Sequence, residues 1–134
     1  MPPPYDIHNF LNLLGITLDE DVDGPLAGRF TVTHPLIAGT GYLWAPVVIA
    51  LADALCALGV SRNWPEKAIS FTTVESKANF LSSAREDDVV RGLATPLHVG
   101  ATTQVWDATV TNESTDRKMA AYRCTQLILY PRPT

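Results

Sequence analysis

The segment YLWAPVVIALADALCALG, Tyr42 to Gly59, holds one acid, Asp53, among residues that otherwise belong in a core. Burying an ionised carboxylate without partners is costly, so the position calls for a physical reason. Two reasons are available. Asp53 could serve structure, capping a neighbouring backbone or pairing with an arginine across an interface. It could instead be a catalytic carboxylate beside a cleft, its reactivity tuned by partial desolvation. The residues alone leave both open.

Other candidate chemistry is thinner. DEDVDG, Asp19 to Gly24, matches the first half of a calcium loop, but the position that needs a bidentate Glu is Phe30. A solvated acidic loop is the better reading. His8, His34 and His98 have no metal-ligand spacing, so no metal site is expected. There is no GxSxG and no glycine-rich phosphate loop. Cys56 lies one helical turn after Asp53, and with Cys124 it reads as a reduced core thiol. Trp106, Phe71, Phe80 and Tyr122 have the spacing of strand faces and are expected to fill the core.

The elements that position these residues follow from hydrophobic period and turn chemistry. Asp6 to Leu14 reads as a short helix, N-capped by Asp6 and closed by Gly15. PLAGRFTVTH alternates as a strand with one buried face, and PLIAGTG is a loop. The Asp53 segment is a long helix with Pro46 in its first turn, ended by Gly59, with SRNWPEK as a connector. AISFTTVESKANFL, DVVRGLATPLHVG, TTQVWDATVTN and KMAAYRCTQLILYP are four strands, expected to form an antiparallel meander. The class is α+β, one domain over residues 1–134. A helix apolar all round must be covered on all sides, and one sheet covers only one, so a homodimer is implied.

The 134 residues carry a net charge of −4 with no Lys/Arg cluster, which argues against nucleic-acid binding. The N-terminus has no basic n-region before an apolar run, and the long helix lacks flanking positive charge, so a cytoplasmic protein outside the membrane is expected.

The order of elements, with the phrases VVIALADALCALG, FTTVESKANFL, ATPLHVGATTQVWDATV and RCTQLILY, resembles the hotdog-fold acyl-CoA thioesterases. Their phenylacetate-pathway and aryl-CoA branch is the nearest in pattern, over about Gly28 to Tyr130. The resemblance implies a curled antiparallel sheet wrapped around one long central helix, in dimers that can pair further into tetramers. It also implies hydrolysis of an acyl thioester, carried by CoA or by a carrier protein, with no cofactor beyond the CoA of the substrate. The family's acid follows the His of a His-Gly-Gly motif by nine residues. Asp53 follows Trp44 by that interval, so it takes the role of base or nucleophile, most naturally from the partner subunit.

By position, the Ala45 N–H is the oxyanion donor, and Gly41, Trp44, Pro46 and Ala57 border the acyl group. Asn79, Ser82, His98, Gly100 and Ala101 fall at CoA-contact positions, and Arg62, Lys77 and Arg85 are candidates for phosphate or carrier contacts. This chain departs from the pattern in several places. Trp44-Ala45-Pro46 replaces His-Gly-Gly, and Pro46 has no N–H to give. Ala38 stands where aryl-CoA relatives carry Gln, and Ala101 where many carry Arg. Ala57 and Ser82 also replace Ser/Thr and basic residues of some relatives. These departures keep a second reading alive: a hotdog protein that binds an acyl or polyketide ligand without cleaving it. A hydratase-like lyase is a third, disfavoured because no His occupies the central loop and helix.

Overall fold

The computed structural model describes residues 7–133. Its elements are α1 (His8–Leu14), β1 (Thr17–Leu18), β2 (Leu26–Thr31), a 3-10 turn (His34–Leu36), α2 (Ala45–Arg62), β3 (Ser70–Phe80), β4 (Val89–Val99), β5 (Thr103–Asn112) and β6 (Arg117–Leu129). Gly15 closes α1 in the left-handed conformation as expected. The expected cap at Asp6 lies outside the described residues, and the N-cap position falls on Ile7.

All strands pair antiparallel, in the order β1-β2-β4-β5-β6-β3. The expected four-strand meander is therefore correct for β4-β5-β6 and wrong for β3, which pairs with β6 at the far edge. The cause lies in the connection after β3. It passes the start of α2, where Leu43 N–H bonds to Ala84 O. It then docks on β2, where Val32 N–H bonds to Asp88 O and Asp87 N–H to Val32 O. That contact delivers β4 to the side of β2.

The inner faces of β2, β4, β5 and β6 pack against α2 around Leu51, Leu55, Val60, Val90, Trp106, Val110, Met119 and Tyr122. Gly92 lets the helix approach β4, because a Cβ there would stand 2.7 Å from Leu55 Cδ1. Gly59 does not end α2, as its residue type suggested. The helix continues to Arg62, and a Cβ on Gly59 would stand 2.7 Å from the Trp106 ring. This glycine is a packing contact. Trp106 and Tyr122 fill the core as expected, whereas Phe80 is 48% exposed at the end of β3 and Phe71 is half-buried, edge-on to Trp64.

The helix is not covered on all sides. Val48, Leu51, Ala52, Leu55, Cys56 and Val60 are buried, while Ile49, Ala50, Asp53, Ala54, Ala57 and Leu58 form a half-buried stripe with helical spacing. The sheet also has two unlike edges. β1 is two residues long, whereas β3 presents eleven residues, of which Thr72 to Lys77 are exposed.

Candidate active site

Asp53 sits near the middle of α2, on the half-buried stripe. Its Oδ1 accepts a hydrogen bond of 2.9 Å from the Tyr122 hydroxyl, which β6 directs inward from beneath. Among the described residues no Lys, Arg or His lies within ion-pair distance of the carboxylate. Burial first, then the Asp53 charge and the hydrogen bond to it, push the Tyr122 phenol well above the usual phenol range. The phenol therefore remains a donor.

Cys56 and Cys124 are both buried and lie side by side beneath this pair, despite their separation in sequence. The hydrogen bond to Cys124, then burial and the charge of Asp53, push the Cys56 thiol far up. It is thus no nucleophile at ordinary pH. Gln126 Nε2 donates to Cys124 Sγ at 3.4 Å, and Thr73 Oγ1 donates to Gln126 Oε1 at 2.8 Å.

The start of α2 forms the second part of the site. Residues 36–44 fold back on themselves: Ile37 bridges Leu43, Ala38 N–H bonds to Tyr42 O, and Trp44 N–H bonds to Leu36 O. Gly41, with φ +86, makes this turn possible. Trp44 occupies the N-cap position without a capping side chain and is 52% exposed. Val47 N–H bonds back to Trp44 O, and Pro46 has no N–H. The Ala45 N–H has no acceptor among the described residues and opens on an exposed surface. It lies where the helix dipole is positive. Arg85 stacks over the Tyr42 ring at 5.1 Å and donates to its hydroxyl at 3.1 Å.

The remaining candidates separate into groups. Gly41, Trp44, Ala45 and Pro46 cluster at the helix start, and Ala57 lies one turn beyond Asp53 on the same stripe. Asn79 is exposed near the end of β3, and Ser82 Oγ donates to Lys118 O at 2.7 Å. His98, Gly100 and Ala101 lie at the β4–β5 turn, where Ala101 O accepts from the Tyr130 hydroxyl. Through the strand register His98 aligns with Val105 and Thr125, and Asn79 with Ala121. One protomer thus keeps these two groups apart. Arg62 is committed elsewhere, donating to Gly24 O at 3.1 Å and Asp19 O at 3.0 Å, which corrects its place among free phosphate contacts. Lys77 is exposed.

In the acidic loop, Asp19 and Asp21 turn their carboxylates onto the N–H groups of Asp21 and Asp23. Sequence reasoning placed Tyr122 only in the core. Its contact with Asp53 spans 69 residues, and no local pattern announces it.

The profile of the thioesterase superfamily matches residues 40–118. A 1,4-dihydroxy-2-naphthoyl-CoA hydrolase of Listeria monocytogenes is 30% identical over 112 residues, covering 84% of this chain and 89% of the relative. Among solved structures, the thioesterase SAV0944 of Staphylococcus aureus superposes with a TM-score of 0.80 at 28% identity, covering 90% of this chain and 98% of that one. The Escherichia coli PaaI protein of the phenylacetic acid degradation operon shares the fold, with a TM-score of 0.78 at 19% identity over 93% of this chain and 87% of its own. The match to the superfamily profile spans the end of the turn, the helix with Asp53 and strands β3 to β5, more than half of the residues, so this chain belongs to the thioesterase superfamily and is a hotdog-fold, thioesterase-like hydrolase.

Proposed function

We propose that the protein hydrolyses an acyl-CoA-type thioester, with Asp53 as the working carboxylate and the Ala45 N–H as oxyanion donor. The observation that carries this reading is the state of Asp53. It is half-buried and held by a neutral phenol, and among the described residues it has no cation beside it and the first N–H of its helix has no acceptor. A carboxylate so placed has one oxygen uncommitted and facing the open side of the helix, where it can take a proton or attack a carbonyl. The CoA hydrolase of Listeria supports the substrate class. The staphylococcal thioesterase has been solved with a Glu and with a Gln replaced by Ala, fifteen residues apart in that chain. The same interval separates Ala38 from Asp53 here, so this chain has the acid and lacks the amide.

The two groups must come from different subunits. Asp53 and Ala45 are eight residues apart on one straight helix, about 12 Å at 1.5 Å per residue. One carbonyl cannot touch both. A second copy related by a two-fold axis would pair the open β3 edge with its own β3 and bring the half-buried stripes of the two α2 helices together. Asp53 of one protomer then faces Ala45 of the other.

The thioester oxygen takes a hydrogen bond from Ala45 N–H. Asp53 accepts a proton from water as the water oxygen bonds to the carbonyl carbon. Collapse of the tetrahedral species breaks the C–S bond as the proton held by Asp53 passes to the leaving sulfur, releasing the carboxylic acid and the thiol and restoring the Asp53 carboxylate. Direct attack by Asp53 on the carbonyl, giving a mixed anhydride that water then opens, uses the same placement. Trp44, half-exposed at the mouth, offers a flat wall to an aromatic acyl group.

Thiol release from a panel of short, long and aromatic acyl-CoAs, with wild type beside Asp53→Ala, tests the proposal. Turnover in wild type that is lost in a folded, dimeric variant supports it. Equal turnover in both proteins makes Asp53 structural and the mechanism wrong. Ligand-induced stabilisation without thiol release from any substrate favours the non-hydrolytic acyl-binding protein.

A further inference from the structure

The geometry points to Tyr122 as a positioning residue for the reaction: its hydroxyl fixes which oxygen of Asp53 faces the substrate and helps keep that oxygen charged. This inference rests on the reading of Asp53 as the working carboxylate.

Three observations carry it. First, the Tyr122 hydroxyl donates to Asp53 Oδ1 at 2.9 Å, so one carboxylate oxygen is occupied from within the protomer and Oδ2 is left for chemistry. Second, Tyr122 is 4% exposed, between the buried Met119, Ala120 and Cys124 of β6, so the phenol cannot swing away. The ring is held by packing and the hydroxyl by Asp53. Third, among the described residues no cation shares the carboxylate. The remaining titratable neighbours are Cys56, one turn along α2, and Cys124 on β6, with Asp107 on β5 acting at longer range on Cys56. Both thiols lie buried beneath the pair. The phenol is thus the one side-chain donor that Asp53 meets among the described residues.

A donor of this kind has a specific kinetic signature. Its removal leaves substrate contacts intact but frees the carboxylate to rotate and makes ionisation harder. Turnover should suffer more than binding, and the acid limb of the rate profile should move to higher pH.

The experiment measures kcat, KM and the pH dependence of kcat/KM for wild type and Tyr122→Phe on the best acyl-CoA substrate. A third protein carries a difluorinated tyrosine at position 122 alone, which retains ring and hydroxyl but donates more strongly. For Tyr122→Phe, kcat should fall about 10-fold or more with KM within about twofold, and the acid limb should move to higher pH. The fluorinated protein should move the limb the other way. An unmoved acid limb in both altered proteins overturns the inference, even if Tyr122→Phe is less stable, since that combination is the mark of packing alone. Asp53→Ala separates the two levels. If that variant retains turnover, the functional reading falls and this inference with it. If it is inactive while the limb stays fixed at Tyr122→Phe, only the role of Tyr122 is lost.

Discussion

Tyr122 and Arg123 are neighbours on β6, and each holds an aspartate on its own face of the sheet. Tyr122 points inward and gives Asp53 one hydrogen bond from a neutral hydroxyl. Arg123 points outward and grips Asp107 of β5 with two, Nε to Oδ1 at 2.6 Å and Nη2 to Oδ2 at 2.9 Å. The outer pair is a closed fork in which both oxygens are used and the charge is cancelled, and Asp107 in turn raises the guanidinium above its ordinary value. The inner carboxylate keeps one oxygen uncommitted and has no cation beside it among the described residues. Two acids, one on α2 and one on β5, are held from adjacent positions of β6 and have different uses, and the donor that each meets decides which.

Asp88 provides a third case. It accepts from the Arg85 backbone N–H and from Asn112 Nδ2, both at 2.9 Å, and these bonds with the nearby Arg85 charge hold its carboxyl below the usual carboxylate value. It closes the turn that delivers β4 beside β2, away from the helix stripe. Its donors are largely neutral, as for Asp53, but its role is structural.

The comparison can be broken most sharply at the inner acid. Asp53→Ala, and also Asp53→Asn, which retains the shape, should lower kcat/KM by about 10² to 10⁴. The matching outer change, Asp107→Asn, should leave it unchanged in the same thiol-release assay. A smaller but still clear effect is expected from Gly59→Ala, another inner-face change that does not touch the acid. The added methyl meets the buried Trp106 ring, and denaturant melts should show a loss of about 1–3 kcal/mol with an unaltered pH profile. Activity loss at Asp53 and stability loss at Gly59 would then separate chemistry from packing on one helix.

Asp88→Ala should cost about 1 kcal/mol at neutral pH through its lost hydrogen bonds. Because the folded-state value lies below the unfolded one, the contribution of Asp88 is full above the ordinary carboxylate range. It is lost as pH falls through the lower folded value. Melts of wild type and variant should therefore converge only under strongly acid conditions. Smallest of all, Arg123→Ala breaks an exposed pair, and both turnover and thermal midpoint should stay close to wild type.

Much of this arrangement is legible in the chain. The alternation in TTQVWDATVTN gives β5, the unbroken apolar run gives α2, and the solitary acid within that run marks Asp53 for scrutiny. The parity of β6, with Tyr122 inward and Arg123 outward, also follows from period two. Other features are not local. Gly59 reads as a helix end because glycine often is one, and only the Trp106 ring above it gives the true reason. The strand after α2 reads as the partner of the next strand because neighbours in sequence usually pair, but the connection docks on β2 and sends β3 to the far edge.

Most of the elements, their buried faces and the lone acid on an apolar helix can be read from the chain alone, because each depends on the period and chemistry of adjacent residues. That a phenol 69 residues away meets that acid, that two distant cysteines lie beneath it, and that β3 is an open edge emerges only in the folded chain. Those contacts depend on how separate elements cross one another. Packing geometry sets that crossing, and no short stretch of sequence records it.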